Sequence, residues 1–348
     1  MKITDLKCAV IGQNPIIRIN TDEGIYGYGQ AENTKPYLKP HVLFYKQYLI
    51  GEDPTNVERV MLKIRRMGSF KPWGSAVSAI EMALWDIAGK ASGLPVYKLL
   101  GGKVRDKVRV YNGGVRFPTQ GYDPEDYAED MRKMKAASEG FTIIKSPIGF
   151  HSPMPHQISN FSYDEPRLGA PHANRGLLTE KSMKHIIACV EAMKSVLGDE
   201  IGLALDCGPG WMVPDAIRVA RALEPLNIMW MEDLITGDYI PYTLADVYRE
   251  VTQATSTPIH TGEQIYLRQN FKELIERHAV RIIGPDPEDI GGLAELKWVT
   301  EYADLHGIMM APHGVFDGLI GLAALVQVCA TLPQNYIAFE YPIAKPEW

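Results

Sequence analysis

The sequence has little of what would mark a secreted, membrane-bound or nucleic-acid-binding protein. Its four cysteines, Cys8, Cys189, Cys207 and Cys329, lie far apart with no C-x-x-C pair, so neither a zinc ribbon nor a disulfide framework is indicated. No apolar core follows Met1-Lys2-Ile3-Thr4-Asp5 to form a signal peptide. The most apolar stretch, Gly318 to Leu332, is too short to span a bilayer and carries Gln327. Positive charge is not in excess: 36 Lys and Arg against 42 Asp and Glu leave a net charge of −6. That balance argues against nucleic acid or an anionic membrane as the partner. There is no Walker A loop, no H-E-x-x-H and no G-x-S-x-G, and Gly27-Tyr28-Gly29 has Glu32 where a dinucleotide loop needs a third glycine. Low-complexity tracts and short repeats are absent too. With 46% hydrophobic and 22% charged residues over 348 positions, a cytoplasmic globular protein of one large or two ordinary domains is expected.

What is present is a rhythm. From about residue 108, short β-type runs alternate with amphipathic helical stretches, the pattern of βα units around a parallel sheet. The runs are Val108–Asn112, Phe141–Lys145, Gly202–Asp206, Ile228–Glu232, Pro258–Glu263, Ile282–Asp286, Ile308–His313 and Tyr336–Glu340. Eight strands with seven intervening helices predict a modified TIM barrel, (β/α)7β, over 108–348. Residues 1–107 read differently: strands at Ile3–Ile11 and Ile16–Thr21, a turn-rich Asp22–Gly29, then helices near 36–49, 55–67 and 75–91. This predicts an α+β capping domain, with the boundary near Gly101-Gly102. The polar, proline-rich stretch between Lys145 and Thr179, with His151, His156 and His172, is too long for a plain βα connection and reads as a functional loop.

In a parallel barrel the C-terminal ends of all strands share one face. The predicted strands end on Lys145, Asp206, Glu232, Glu263, Asp286, His313 and Glu340, spaced after Asp206 by about one βα unit each. Asp206, Glu232 and Glu263 on three consecutive strands would repel one another unless a divalent cation joined them. All-oxygen donors favour Mg²⁺, leave Mn²⁺ open and disfavour Zn²⁺. Asp286 beside His313 would fix the imidazole tautomer and raise the basicity of its other nitrogen, an acid/base pair.

These residues carry a resemblance. The run Ala76-Val77-Ser78-Ala79-Ile80-Glu81-Met82-Ala83-Leu84-Trp85-Asp86 with Gly93-Leu94-Pro95, the three carboxylate motifs Leu205-Asp206, Met231-Glu232-Asp233 and Gly262-Glu263-Gln264, and Pro285-Asp286 with Ala311-Pro312-His313 together resemble the enolase superfamily, in its mandelate racemase-like branch. Glu340 in Phe339-Glu340-Tyr341-Pro342 is similar to that family's glutamate on the last strand. The resemblance implies a Mg²⁺-dependent enzyme whose base removes the proton next to a substrate carboxylate, giving an enediolate. It also implies a small-molecule carboxylate as the partner and a homo-oligomer.

Two departures from the family pattern bear on the reaction. The family often has Lys-x-Lys at the end of the second barrel strand, whereas this chain reads Lys145-Ser146-Pro147. A second base there is lost, which weakens a two-base racemase or epimerase and a cycloisomerase. It favours a sugar-acid dehydratase, a hydro-lyase, in which His313 both takes the proton and protonates the departing hydroxyl. Lys145 would be an electrostatic partner, a second acid/base, or a salt bridge to a ligand carboxylate. A non-catalytic metal-binding homologue would need no dyad. The second departure is the C-terminus: family members continue beyond the last strand, so either that tail is absent from this chain or the domain closes differently. Substrate contacts are expected from Glu340, from His151 in the long loop, and from Lys71 and Trp73 in Met67–Ser75, which corresponds in position to a capping loop of the family.

Overall fold

The computed structural model describes residues 1–68, 71–115, 117–163, 174–235, 244–314 and 318–342, the side chains of 71 and 72 excepted. Phe70 and His172 therefore lie outside the described residues, as does the side chain of Lys71. The chain divides into two compact units. One comprises Met1–Arg109 with Glu263–Lys272 and Gly284–Trp348; the other comprises Val110–Gly262 and Glu273–Ile283.

The first unit opens with an antiparallel sheet, β1 (Ile3–Ile11), β2 (Asn14–Thr21) and β3 (Tyr26–Gln30), in the order β1-β2-β3. Strand β3 falls in the stretch read as a turn, and the reason is steric. A Cβ on Gly27 would lie 2.1 Å from the Ala83 carbonyl oxygen, and one on Gly29 would lie 1.8 Å from that of Ala79. Only glycine lets this strand rest directly on the helix Lys71–Ser92, yet glycine is what weakens a strand signal in sequence. That helix also starts earlier than expected, turning part of the predicted loop Met67–Ser75 into its first turn. The segment near 36–49 is broken into Pro36–Leu38, Lys39–Phe44 and Lys46–Leu49 rather than one helix. Ile17, Ile19, Val60, Met61, Val77, Ile80, Leu84 and Ile87 form the buried core of this part.

The second unit holds six parallel strands: β4 (Val110–Asn112), β5 (Ile143–Pro147), β6 (Gly202–Asp206), β7 (Trp230–Glu232), β8 (Ile259–Thr261) and β9 (Ile282–Ile283). Two more, β10 (Met309–Met310) and β11 (Phe339–Tyr341), belong to the first unit, where Met310 bridges Tyr336 in parallel. Each of the eight predicted runs overlaps a strand, and β5 and β11 extend past the predicted ends at Lys145 and Glu340. Among the described residues a helix of nine or more residues lies between each consecutive pair of strands, at Pro124–Lys135, Glu180–Leu197, Val213–Leu223, Ala245–Gln253, Arg268–Glu276, Leu293–Leu305 and Leu319–Cys329. This is the (β/α)7β order. Local signals set the helix starts: Asp123 and Asp126 form a capping box ahead of Pro124, and the Thr179 hydroxyl accepts the N–H of Ser182. Within the long stretch after β5 the described residues contain a 3-10 helix, Gly149–His151, a short α-helix, Met154–Gln157, and an antiparallel bridge between Ser162 and Leu178.

Candidate active site

In the second unit the strand ends gather one cation and two carboxylates. Asp206 and Glu232 are register partners at the ends of β6 and β7, so their side chains leave adjacent strands side by side. Lys145 on β5, only 2% exposed, reaches between them: its Nζ lies 3.2 Å from Asp206 Oδ2 and 3.1 Å from Glu232 Oε1. The backbone of Lys145 is held in turn, its N–H donating to Asn112 Oδ1 at 2.8 Å. Glu232 is also held from behind, accepting the indole N–H of Trp230 on Oε2 at 2.9 Å, with His260 Nδ1 3.4 Å from the same oxygen. His151 brings its Nδ1 to 3.4 Å from Asp206 Oδ1. The Lys145 ammonium answers the charge of both carboxylates, which offsets the cost of burying them. The long loop thus delivers one of its histidines to the strand ends. His156 instead meets Asn174, at 3.3 Å on an exposed part of the loop.

The donor chemistry of this cluster suits a hard divalent ion. Asp206 and Glu232 offer oxygen only, and they already surround a positive charge. Burial, reinforced by the neighbouring Asp206 carboxylate, holds the Cys207 thiol well above its usual range, so the adjacent cysteine supplies no thiolate for a soft metal. Among the described residues, no three His, Cys, Asp or Glu side chains are arranged as a ready metal cage. In this arrangement the Lys145 ammonium occupies the place between the two carboxylates.

In the first unit the dyad is formed. His313 Nδ1 lies 2.6 Å from Asp286 Oδ2, and Asp286 Oδ1 accepts the backbone N–H of Glu288 at 2.7 Å. The other ring nitrogen, Nε2, is 3.3 Å from Glu263 Oε2 and 3.4 Å from Glu340 Oε2. Burial by itself lowers the His313 pKa, but the Glu263, Glu340 and Asp286 carboxylates outweigh it and hold the imidazole well above its usual value. Both ring nitrogens face carboxylate oxygens, an arrangement that stabilises the imidazolium formed when the histidine accepts a proton. A glycine sets the spacing here. The Glu340 N–H donates to the Pro312 carbonyl at 2.9 Å, and a Cβ on Gly314 would lie 1.8 Å from the Glu340 carbonyl oxygen. His313 and Glu340 can approach only because residue 314 has no side chain.

Trp73 stands 45% exposed on its helix, its ring 6.0 Å from that of His41. The stretch that faces the dyad is Glu32-Asn33-Thr34, just beyond β3, which together with Glu288 lines a cavity of about 160 Å³ at His313. Neither Glu32-Asn33-Thr34 nor Glu288 stood out in sequence as a site. The available signals were a polar run ahead of Pro36 and the acidic triplet in Asp286-Pro287-Glu288-Asp289. A larger cavity of about 590 Å³, along 82–96 and 319–327, is mostly apolar and contains none of the predicted site residues; polarity, rather than size, marks the chemistry.

Known proteins share this plan. Residues 126–345 match the family described as enolase C-terminal domain-like, and residues 10–101 match the mandelate racemase/muconate lactonizing enzyme N-terminal domain. A D-xylonate dehydratase from Haloferax volcanii is 31% identical over all of this chain and 80% of its own length. A D-mannonate dehydratase from a Caulobacter species is 30% identical, again over all of this chain and 86% of its own. Among solved structures, a mandelate racemase/muconate lactonizing enzyme-like protein from Rubrobacter xylanophilus superposes with a TM-score of 0.83 at 30% identity, covering 100% of this chain and 88% of that one.

Proposed function

The chain belongs to the mandelate racemase/muconate lactonizing enzyme family of the enolase superfamily, with its modified TIM barrel and N-terminal α+β domain, and from that membership we propose that it is a hydro-lyase removing water from a sugar acid. Relatives named as dehydratases of D-xylonate, D-galactonate and D-mannonate support the substrate class. The observation that carries the reading is the His313–Asp286 contact of 2.6 Å, with Nε2 on the far side of the ring among carboxylates.

Asp286 holds the tautomer that leaves Nε2 as the working atom. His313 takes the proton from the carbon next to the substrate carboxylate, and the electron pair of that C–H bond passes into an enediolate. As the C=C bond forms, the bond from the next carbon to its hydroxyl breaks. His313 returns its proton to that oxygen, which leaves as water. The enol so formed tautomerises to a 2-keto acid. One group serving both steps implies that proton and hydroxyl leave from the same face. Glu263, Glu340 and Asp286 stabilise the imidazolium between the two transfers. The residues that would hold Mg²⁺, or Mn²⁺, are Asp206, Glu232 and Glu263, and the chemistry such an ion supplies is neutralisation of the charge growing on the substrate carboxylate. Lys145 balances Asp206 and Glu232, and Pro147, where the family often has a second base, speaks against racemisation. His151, Trp73, Lys71 and Glu340 stay in the proposal as substrate contacts, in a cytoplasmic homo-oligomer.

The test is a panel of aldonic and aldaric acids, incubated with the protein and Mg²⁺ and assayed for 2-keto acid. Formation of 2-keto acid from at least one member is expected. Racemisation or epimerisation without 2-keto acid would overturn the reading.

A further inference from the structure

Glu288 is spent on something the steps above do not use. It is 1% exposed, it lines the cavity of about 160 Å³ beside His313, and its Oε1 has no hydrogen-bond partner among the described residues. A buried carboxyl oxygen left unpaired is costly and calls for an explanation at its site. Its backbone N–H is bonded to Asp286 Oδ1 at 2.7 Å, so the side chain enters the cavity from a point fixed to the dyad itself.

The rest of the lining narrows what the cavity accepts. Glu32, Asn33 and Thr34 face it from the first unit's N-terminal part, and Lys35, next in the chain, is ion-paired with Glu32 and lies 3.8 Å from Asp289. The carboxylates of Glu32, Asp286 and Glu288 line the cavity beside the donor-bearing side chains of Asn33, Thr34 and His313, a mixed lining that suits the hydroxyls of a ligand, while the three carboxylates disfavour a ligand carboxylate there. Burial, with the Asp286 and Asp289 carboxylates nearby, holds the Glu288 carboxyl well above the usual range. A carboxyl oxygen accepts a hydrogen bond from a hydroxyl in either protonation state. The volume is that of roughly five water molecules, enough for a short polyol fragment.

The geometry points to Glu288 as a specificity-determining residue that hydrogen-bonds a hydroxyl of the substrate's carbon chain, beyond the carbon from which His313 takes its proton. This rests on the sugar-acid reading and deepens it: the cavity would receive the hydroxylated end of the substrate, away from its carboxylate. Glu288→Leu keeps the bulk and removes the hydrogen bonds, while Glu288→Gln keeps a donor and an acceptor. On the sugar acid that the wild-type enzyme converts, E288L should raise KM at least tenfold with kcat within threefold. E288Q should stay within threefold of wild type in both. The Tm of E288L should be no lower than wild type, since an unpaired buried group has been removed. An unchanged KM in E288L, or a loss of kcat at constant KM, would overturn the assignment while leaving the dehydratase reading intact. Should E288L fail to fold, E288A read by the same KM ratio decides. If the wild-type enzyme converts no sugar acid at all, the underlying reading fails and this assignment fails with it.

Discussion

Glu81 accepts the backbone N–H of Leu293 at 2.7 Å, across 212 positions of sequence, and that of Ala294 at 3.0 Å. The helix Leu293–Leu305 thus begins on a carboxylate from the N-terminal part of the chain, where a helix N-terminus most needs an acceptor. The same carboxylate takes the Trp85 indole N–H, and Ser78 one turn earlier takes the N–H of Gly291. Asp286 and Glu288 sit on the segment that this contact anchors. The most recognisable sequence run of the chain is therefore a fastening for the loop that carries the dyad's carboxylate.

Burial pushes the Glu81 carboxyl up to about 7, against the opposing N–H donors of Ala294, Trp85 and Leu293. For an acid whose pKa is raised by folding, the stabilising contribution is fully present below the unfolded value near 4.5 and is lost as pH rises through 7. The stability of the wild type relative to E81Q should therefore fall by about 3 kcal/mol between these limits. Urea unfolding of both proteins across that pH range measures the difference, and a flat profile would refute it.

Replacing Lys145 leaves two register-paired carboxylates without their cation. Without added metal, K145M should lose on the order of 3 kcal/mol of stability, the scale for breaking a buried pair. Mg²⁺ should then raise its Tm more than it raises that of the wild type, because it would relieve a larger repulsion. Thermal scans in EDTA and in Mg²⁺ check this; equal metal-induced shifts would mean that the lysine and the metal do not share those carboxylates.

His313→Asn should abolish both dehydration and exchange of the proton next to the carboxylate, each by roughly 10²–10⁴-fold, the usual share of a general acid–base. Proton NMR in deuterated buffer follows the exchange directly. Exchange at the wild-type rate would move the base to another residue, Lys145 first.

Gly314→Ala forces a Cβ into the Glu340 carbonyl. The chain ends at 313–314 and 340 would have to part, at a cost of about 1–3 kcal/mol, and the His313–Glu340 spacing would widen with them. A fall in Tm accompanied by loss of turnover is expected. Full activity at unchanged Tm would show that this close approach is unimportant.

Much of the architecture was legible because it is local. Apolar β-type runs at intervals of one βα unit specify strand–helix alternation through neighbours in sequence, and all eight runs overlap strands. The polar residues that close those runs were legible for the same reason: His313 and Asp286 needed only their unit spacing to be paired on paper, and the structure brings them to 2.6 Å. The starts of two of the helices were legible in the same way, from Pro124-Glu125-Asp126 and Thr179-Glu180.

What tertiary structure decided concerns surfaces that meet from distant positions. Strand β3 was hidden because Gly27 and Gly29 have low strand preference, and only the backbone of the helix at Ala79 and Ala83 gives them a reason to be there. Lys145 could be read as base, electrostatic partner or salt bridge, and its two contacts with Asp206 and Glu232 depend on rotamers that sequence does not encode one residue at a time. Trp73, expected as a substrate contact, lies on a helix with its ring 6.0 Å from that of His41, a placement that its neighbours in sequence did not specify. Glu288 and Glu32-Asn33-Thr34 were ordinary polar residues until folding buried one and set the others around the same cavity. Periodicity records which side chains face inward; which of them then touch is fixed by packing between segments hundreds of residues apart, and that information exists only once the chain has closed on itself.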